Sequence, residues 1–549
     1  MHDISRDRHA TSRRSLLKLG AALGATALLP GHGADAQTLM TRPDINSTAG
    51  ARMLDLYAKA IQKMQDPAIN ITPQPQSWTF QAYTHGVPAN PFHPMESDGL
   101  RHGTPELSAR IDLIYGNPAA GTPQAAWKAA AQQCWGTCPH GSPWFVAWHR
   151  WYVLYFEKIV RLMSGANDFV LPYWNYASDQ GPSLQLPAAF QNPVTDQQGD
   201  INPLYEDLRG LGFANPAGSG AQNVPMNQDG YMPYSQTDYG PALSGTNLFP
   251  SDDTYAVPPD PQYLAFGFAG RVECQPHDNV HDNVGGLMSN VPVAASDPIF
   301  FVHHCQIDRL WAAWQAASGS VYNWGTGGTD PSQTTWEGRK FTFIDENNKL
   351  VTVTAGGELN TKDLGYVYDS LPPRPPVSVA ATAAVRAPAP PVVLAAARAS
   401  GLSVGSTGAR ATLAPAPPTA AAAVRATPGE QTLVLSNVKL LARPPAPLHV
   451  FLNLPEGAPP TLDSPYHVGT LNFFNWDTRT GGPMMDMPDG SHATPGGGEF
   501  RFAVGDILAR QKAENRWNGG AITVTVSTLG ADKSRGRTYV TIGQVDLLP

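Results

Sequence analysis

The chain has 549 residues, 42% hydrophobic and 9% aromatic, enough to bury more than one core, so two domains are the expectation. A formal net charge of −8 argues against nucleic acid as a main partner. The 52 glycines and 52 prolines predict long structured loops and at least one extended linker.

Residues 1–36 read as an address. Ser12-Arg13-Arg14-Ser15-Leu16-Leu17-Lys18 is a twin-arginine pattern, and the apolar run from Leu19 to Leu29 is too short for a permanent membrane anchor. Ala34-Asp35-Ala36 is a small-x-small cleavage site, so the mature chain is expected to begin near Gln37. The expected destination is a bacterial periplasm or the cell exterior, with no membrane span.

From Gln37 to about Ser370, helical patterns alternate with Pro/Gly-rich loops, and apolar spacing predicts helices over 52–64 and 142–163. Trp78-Thr-Phe-Gln-Ala-Tyr-Thr-His85 reads as the end of another helix, and residues 181–260 as an elaborate loop region. This 37–370 stretch is the expected mainly α catalytic domain. Between 371 and 428 the composition shifts to Ala, Pro, Val and scattered Arg, which predicts an extended linker. After Gly429, Leu433-Val-Leu, Leu448-His-Val-Phe-Leu-Asn-Leu454 and Ile522-Thr-Val-Thr-Val-Ser527 predict an antiparallel all-β domain over 429–549.

Chemistry concentrates in two histidine clusters. His277 and His281 are four apart, so on a helix both imidazoles leave one face and reach one ion. Asp297-Pro298 is an N-cap and first-turn pair that starts a helix running through Trp314. His303 and His304 lie about 100° apart on it, so one of them faces a metal. Asp308, one turn beyond His304, could accept that ring's other N–H, which favours His304 as ligand and His303 as its neighbour. The other cluster offers His140 in a loop and His149 inside a long helix, with Arg150 and Glu157 on one stripe and expected to pair. A third ligand must come from His85, His93 or His102, and the helix end favours His85. Six neutral imidazoles without a carboxylate favour copper over iron or magnesium, while zinc also fits the spacing. Cys134, Cys138, Cys274 and Cys305 lie in or beside these clusters, so chemistry is expected of them rather than a disulfide scaffold, though an oxidising compartment allows one disulfide.

These residues resemble the tyrosinase, catechol oxidase and molluscan haemocyanin superfamily over roughly 78–370. The shared patterns are C-x-H with a second His nine residues on, H-R-x6-E, E-x2-P-H-x3-H, and D-P-x-F-x2-H-H-x3-D-R-x-W. The resemblance implies a four-helix bundle holding two coupled coppers that bind dioxygen, one on His85, His140 and His149, the other on His277, His281 and His304. It also implies a thioether between Cys138 and His140, and Glu273 as the acid that holds a water and helps deprotonate a phenol. Phe300 matches the aromatic stacked over the site, Val291 the gate, and Glu157, Asp308 and Arg309 the residues that steady the ligands from behind. Asp363-Leu-Gly-Tyr366-Val-Tyr368 resembles the tyrosine motif that closes the catalytic core.

Two features depart from the family. The loop between His85 and His140 is longer than in many relatives. Asp278 follows His277 where strong monophenol hydroxylators often carry Asn, and Asp282 follows His281. Two acids at the rim would repel carboxylate-bearing substrates and attract amines.

The function implied is oxidation of phenols and catechols to o-quinones with dioxygen, with or without monophenol hydroxylation. The alternatives are a haemocyanin-like dioxygen-binding protein and an o-aminophenol oxidase. In many relatives a C-terminal domain pushes a side chain into the copper site. Here that implies a latent form cleaved in the 371–428 stretch and plugged by Phe473 or Phe474. Met484-Met-Asp-Met487 reads as a packed turn in preference to a Cu(I) site.

Overall fold

A computed structural model of the chain describes residues 39–548 apart from 93–98, 141–143, 177–185, 195–200, 210–271, 319–332, 372–394, 398–401, 414–430 and several shorter gaps. The twin-arginine leader, His93, most of the 181–260 loop region and Met484 and Met487 of the methionine turn lie outside the described residues. Residues 39–549 form one unit.

Short oxygen-bearing side chains stand where the helices begin. Ser47 accepts the Gly50 N–H ahead of the Thr48–Met64 helix, and Ser77 the Phe80 N–H ahead of Trp78–His85. Thr104 and Thr122 do the same for Pro105–Tyr115 and Pro123–Cys134, each with proline in the first turn. The Phe145–Ser164 helix buries residues all round its circumference, the pattern of a helix at the centre of a core, and stops at Gly165 in the left-handed region at φ 73°. It packs against Thr48–Met64 on one side and Ile299–Ser318 on the other. The last of these starts as its sequence predicts, with the Ile299 N–H donating to the Asp297 carboxylate at 2.9 Å. Two long helices therefore frame the site. The other two histidine-bearing elements are an eight-residue helix and a short π-to-α segment, a less regular set than the bundle expected.

Two strands tie the ends of this helical core together, Met40–Arg42 running parallel to Tyr366–Tyr368. The β region has two larger antiparallel sheets. One runs in the order Gly498–Ala503, Thr432–Leu440, Thr538–Leu548, Ala395–Ala397, and the other His467–Leu471, Leu448–Leu452, Ile522–Ser527, Ala409–Leu413. Inward residues of both, such as Leu435, Val450, Val524 and Val540, share one core.

This corrects the linker boundaries. Leu402–Gly405 pairs with Thr538–Leu548 and Ala409–Leu413 with Ile522–Ser527, so the stretch read as a 371–428 linker supplies strands to both sheets. Its Val404, Ala411 and Leu413 are buried, small side chains being sufficient where a partner sheet provides the bulk.

Candidate metal centre

His85 closes the Trp78–His85 helix, His140 precedes the Phe145–Ser164 helix and His149 lies in its second turn; all three are buried. Gly86 lets the helix end abut the Val291–Ser296 turn, since a Cβ there would stand 2.7 Å from the Pro292 Cα. Ring centroids are 5.0 Å apart for His85 and His140, 5.8 Å for His85 and His149, and 5.7 Å for His140 and His149. Cys138 Sγ sits in the same group, 3.3 Å from His140 Nδ1 and 3.3 Å from His149 Nε2. His102 instead meets the Trp135 carbonyl at 3.1 Å, away from the group.

The second group forms on a widened turn. Glu273–Asp278 is π-helical with Pro276 inside it, and Asn279–Val284 continues as α-helix, which sets the His277 and His281 rings 4.5 Å apart. His304 brings its Nε2 to 3.3 Å from His281 Nε2. His303 belongs to the same cluster, but the Tyr176 hydroxyl engages its Nδ1 at 2.9 Å. The two groups adjoin: His149 and His304 stack at 4.3 Å and 15°, and Phe300 lies 4.0 Å from His304 and 4.8 Å from His85.

The donor chemistry fits a pair of copper ions. Burial, reinforced by neighbouring imidazoles, lowers His85, His149, His277, His281 and His304 well below the usual range, and burial alone takes His140 to about 3. All six are thus neutral at pH 7, the form in which an imidazole can take a metal ion. On three rings the far nitrogen is already held: His149 Nδ1 by the Phe145 carbonyl at 2.7 Å, His281 Nδ1 by the Met288 carbonyl at 2.8 Å, and His277 Nδ1 by Asp278 at 2.7 Å. That leaves Nε2 as the nitrogen able to take an ion on each of these rings. His277 Nε2 is buried and has no hydrogen-bond partner among the described residues, as expected of a nitrogen reserved for an ion.

Asp278 is placed differently from the rim position its sequence suggested: it is buried against His277, and burial with Glu273 and Asp282 nearby raises its pKa well above normal. Glu273 is fully buried one turn before His277 and accepts from that ring's Nδ1 through its carbonyl at 3.2 Å. Val291 is partly buried, with its backbone beside the His85 ring.

The three supporting residues act at longer range than expected. Asp308 does not reach His304. It binds Arg150, Arg42 at 3.2 Å, Tyr366 at 2.6 Å and Tyr368, because two buried guanidiniums and two phenols outcompete one imidazole N–H. Glu157 pairs not with Arg150 but with Arg42 at 2.8 Å and Arg161 at 2.9 Å. Arg309 donates to the Ser370 carbonyl at 2.7 Å and lies over the Tyr173 ring. These contacts fasten the two long helices, the N-terminal strand and the tyrosine strand together beneath the histidines. Cys134 and Cys305 are buried thiols without a disulfide.

A piece of the β region covers the centre. Phe474 stacks on His281 at 3.9 Å and 12°, with its ring 5.4 Å from His277 and 5.6 Å from His140. Asp282 accepts the Phe473 N–H at 2.9 Å and also that of Phe474, while burial pushes its carboxyl up to about 7 against those N–H groups and Arg443. Arg443 binds the Ser289 carbonyl at 3.0 Å on the helical side and those of Phe473 at 3.1 Å and Trp476 at 2.9 Å on the other. Sequence reading singled out neither Arg443, Tyr176 nor Arg42, since none carries a motif and each acts on residues more than a hundred positions away.

Two family models match: the common central domain of tyrosinase over residues 75–317 and the polyphenol oxidase middle domain over 330–376. Tyrosinase HcTyr1 of Hahella sp. (strain CCB-MM4) is 29% identical over 367 residues, covering 64% of this chain and 67% of that protein. Polyphenol oxidase A1 of Vicia faba is 30% identical over 250 residues, covering 42% of this chain and 38% of its own length. This chain therefore spans less than half of the plant relative. Among solved structures, latent apple tyrosinase aligns with a TM-score of 0.47 at 22% identity, over 93% of this chain and 97% of that one.

Proposed function

Since its matched residues place the chain in the tyrosinase and polyphenol oxidase superfamily of type-3 copper oxidoreductases, we propose that it oxidises phenolic compounds to o-quinones with dioxygen. The observation that carries this reading is the contact between two buried groups of neutral imidazoles, each able to hold one ion. Bound copper would supply the electron exchange with dioxygen. A catechol loses two electrons and two protons to become the quinone, so two catechols reduce one dioxygen to two waters. His85, His140 and His149 would hold one ion, His277, His281 and His304 the other. Phe300 walls the centre, and Glu273, buried one turn ahead of His277, is assigned the phenolic proton. Export by the twin-arginine route belongs to the same reading, supported by Arg13-Arg14 and the short apolar run after them.

Cys138 is assigned a thioether to His140. Its Sγ lies 3.3 Å from Nδ1 and 3.9 Å from Nε2, which places it against the ring edge carrying the carbon between those nitrogens. Closing the bond removes two hydrogens, with copper and dioxygen as oxidant. The copper-loaded chain is expected to weigh about 2 Da less than its sequence mass and to lose a free thiol, and Cys138→Ser to restore the full mass on intact mass spectrometry. An unchanged mass after loading would remove the thioether from the reading.

We also assign Phe474 as the plug of a latent form. Its ring occupies the place above His281 where a phenol ring would stack. Removing a buried phenyl group takes roughly 2 kcal/mol from the covered state, so Phe474→Ala should raise catechol-dependent oxygen uptake of the uncut chain by about tenfold or more. Limited proteolysis of the wild type should do the same. Oxygen-electrode assays with a monophenol, a catechol and an o-aminophenol, before and after protease, test function and latency together. No uptake with any of the three after copper loading would reject the oxidase and leave reversible oxygenation to be measured.

A further inference from the structure

The β region buries a pair of histidines that phenol oxidation does not use. On the Leu448–Leu452 strand, Leu448, Val450 and Leu452 point into the core shared by the two sheets, so His449 takes the opposite face. Thr470 stands across from His449 on the neighbouring strand, and its hydroxyl reaches the His449 ring on that face. The register then slips by one residue between Val450 and Phe451, which sets His467 rather than Val468 opposite Phe451. Such a bulge re-aims a side chain, and here it puts His467 on the same side as His449. Both rings are buried, at 1% exposure for His449 and 3% for His467.

Three donor atoms meet there. His467 Nε2 lies 3.3 Å from His449 Nδ1, and Thr470 Oγ1 lies 3.0 Å from the same Nδ1. A ring nitrogen has one lone pair or one proton, so hydrogen bonding serves one of these contacts and leaves the other over. A cation among the three atoms takes them all. The nitrogen spacing selects its geometry: donors about 2.0–2.1 Å from an ion stand about 3.3–3.4 Å apart at a tetrahedral angle, about 2.9 Å at a right angle and about 4 Å in line. His281 Nε2 and His304 Nε2 in the candidate centre show the same 3.3 Å. His449 Nε2 has no hydrogen-bond partner among the described residues, so hydrogen bonds do not account for the burial of this ring. Burial, with His467 beside it, takes the His449 pKa down to about 3, which leaves the ring neutral at pH 7.

We propose that His449 and His467 hold a zinc ion, with the Thr470 hydroxyl as third donor and a water as fourth, at a site separate from the two groups already described. Zinc has no geometric preference of its own and accepts imidazole and oxygen at tetrahedral spacing. Its role is structural. His467–Leu471 is the edge strand of its sheet and runs on towards Phe473 and Phe474, and the ion fastens it to the interior strand Leu448–Leu452. The site stands independently of phenol oxidation and of latency.

The test uses the full chain loaded with two equivalents of copper, then given excess zinc and freed of unbound metal. Elemental analysis should find one zinc per chain beside the copper. His449→Ala and His467→Ala should each retain none, and Thr470→Val should weaken zinc binding about tenfold, the loss of one oxygen donor. Cobalt(II) offered in place of zinc should show the strong visible absorption of a four-coordinate ion, a measurement on the unaltered chain that stands even where an alanine variant does not fold. The proposal is overturned by any of four results: no zinc on the wild type, zinc that survives both histidine substitutions, affinity indifferent to Thr470→Val, or cobalt bound only in the pale six-coordinate form.

Discussion

His281→Ala is expected to lower catechol-dependent oxygen uptake by more than about a thousandfold, some 4 kcal/mol of barrier, and to cut bound copper from two ions per chain to one. His281 is fully buried, its Nδ1 is committed to the Met288 carbonyl, and its Nε2 stands 3.3 Å from that of His304. Alanine leaves His277 and His304 without a third imidazole, and among the described residues of that group only His303 offers one, which the Tyr176 hydroxyl holds. His303→Ala is the matching control and should retain two ions. Metal analysis beside the oxygen electrode separates the cases. Two ions on His281→Ala, or one on His303→Ala, would exchange the roles of the two neighbours.

Asp308→Asn is expected to destabilise the helical core by about 3–5 kcal/mol, read from denaturant or thermal unfolding of the copper-free chain. Arg42 and Arg150 are almost wholly buried and share this carboxylate, which also accepts from Tyr366 and Tyr368. An amide satisfies some of the hydrogen bonds but leaves two buried cations facing a neutral group. The pH dependence follows from the same contacts. Burial works to raise the Asp308 pKa, but Arg150, Arg42 and the two phenols outweigh it and hold the folded value below normal. The stability it contributes is therefore complete above the unfolded value of about 3.9 and is lost as pH falls through the folded one. The gap between wild type and variant should shrink in that acid range. A loss under about 1 kcal/mol at pH 7 would show that the network is not what fastens the core.

Much of the centre was legible because its geometry is local. The His277–His281 spacing, the Asp297-Pro298 helix start and the Cys138-x-His140 pattern each specify which atoms lie together within a turn or two of chain. His303 and His304 both lie in the second group, and the contact expected to tell them apart is not the one the structure shows. Asp308 was expected to orient the His304 ring, whereas the discriminating contact is the one Tyr176 makes to His303 across 127 positions of sequence.

The strands at 402–405 and 409–413 were missed for a related reason. Leu402–Gly405 and Ala409–Leu413 are only four and five residues long, carry glycine and alanine, and adjoin an Ala/Pro-rich run, so their strand pattern is faint without the pairing to Thr538–Leu548 and Ile522–Ser527. Likewise, composition could not separate Phe473 from Phe474. Phe473 turns into the β core beside Trp476 and Phe500, while its neighbour turns onto His281.

By itself the sequence determined the resemblance to the family, the candidate metal donors and the helix starts that present them, since these depend on residue type and on periodicities of a few positions. Only the tertiary structure decided what surrounds them: which acid meets which arginine, which phenylalanine covers the centre and what satisfies Asp282. Those pairings join segments hundreds of residues apart. In a buried, low-dielectric interior their energies depend on which partners meet and in what geometry, and no local pattern records that.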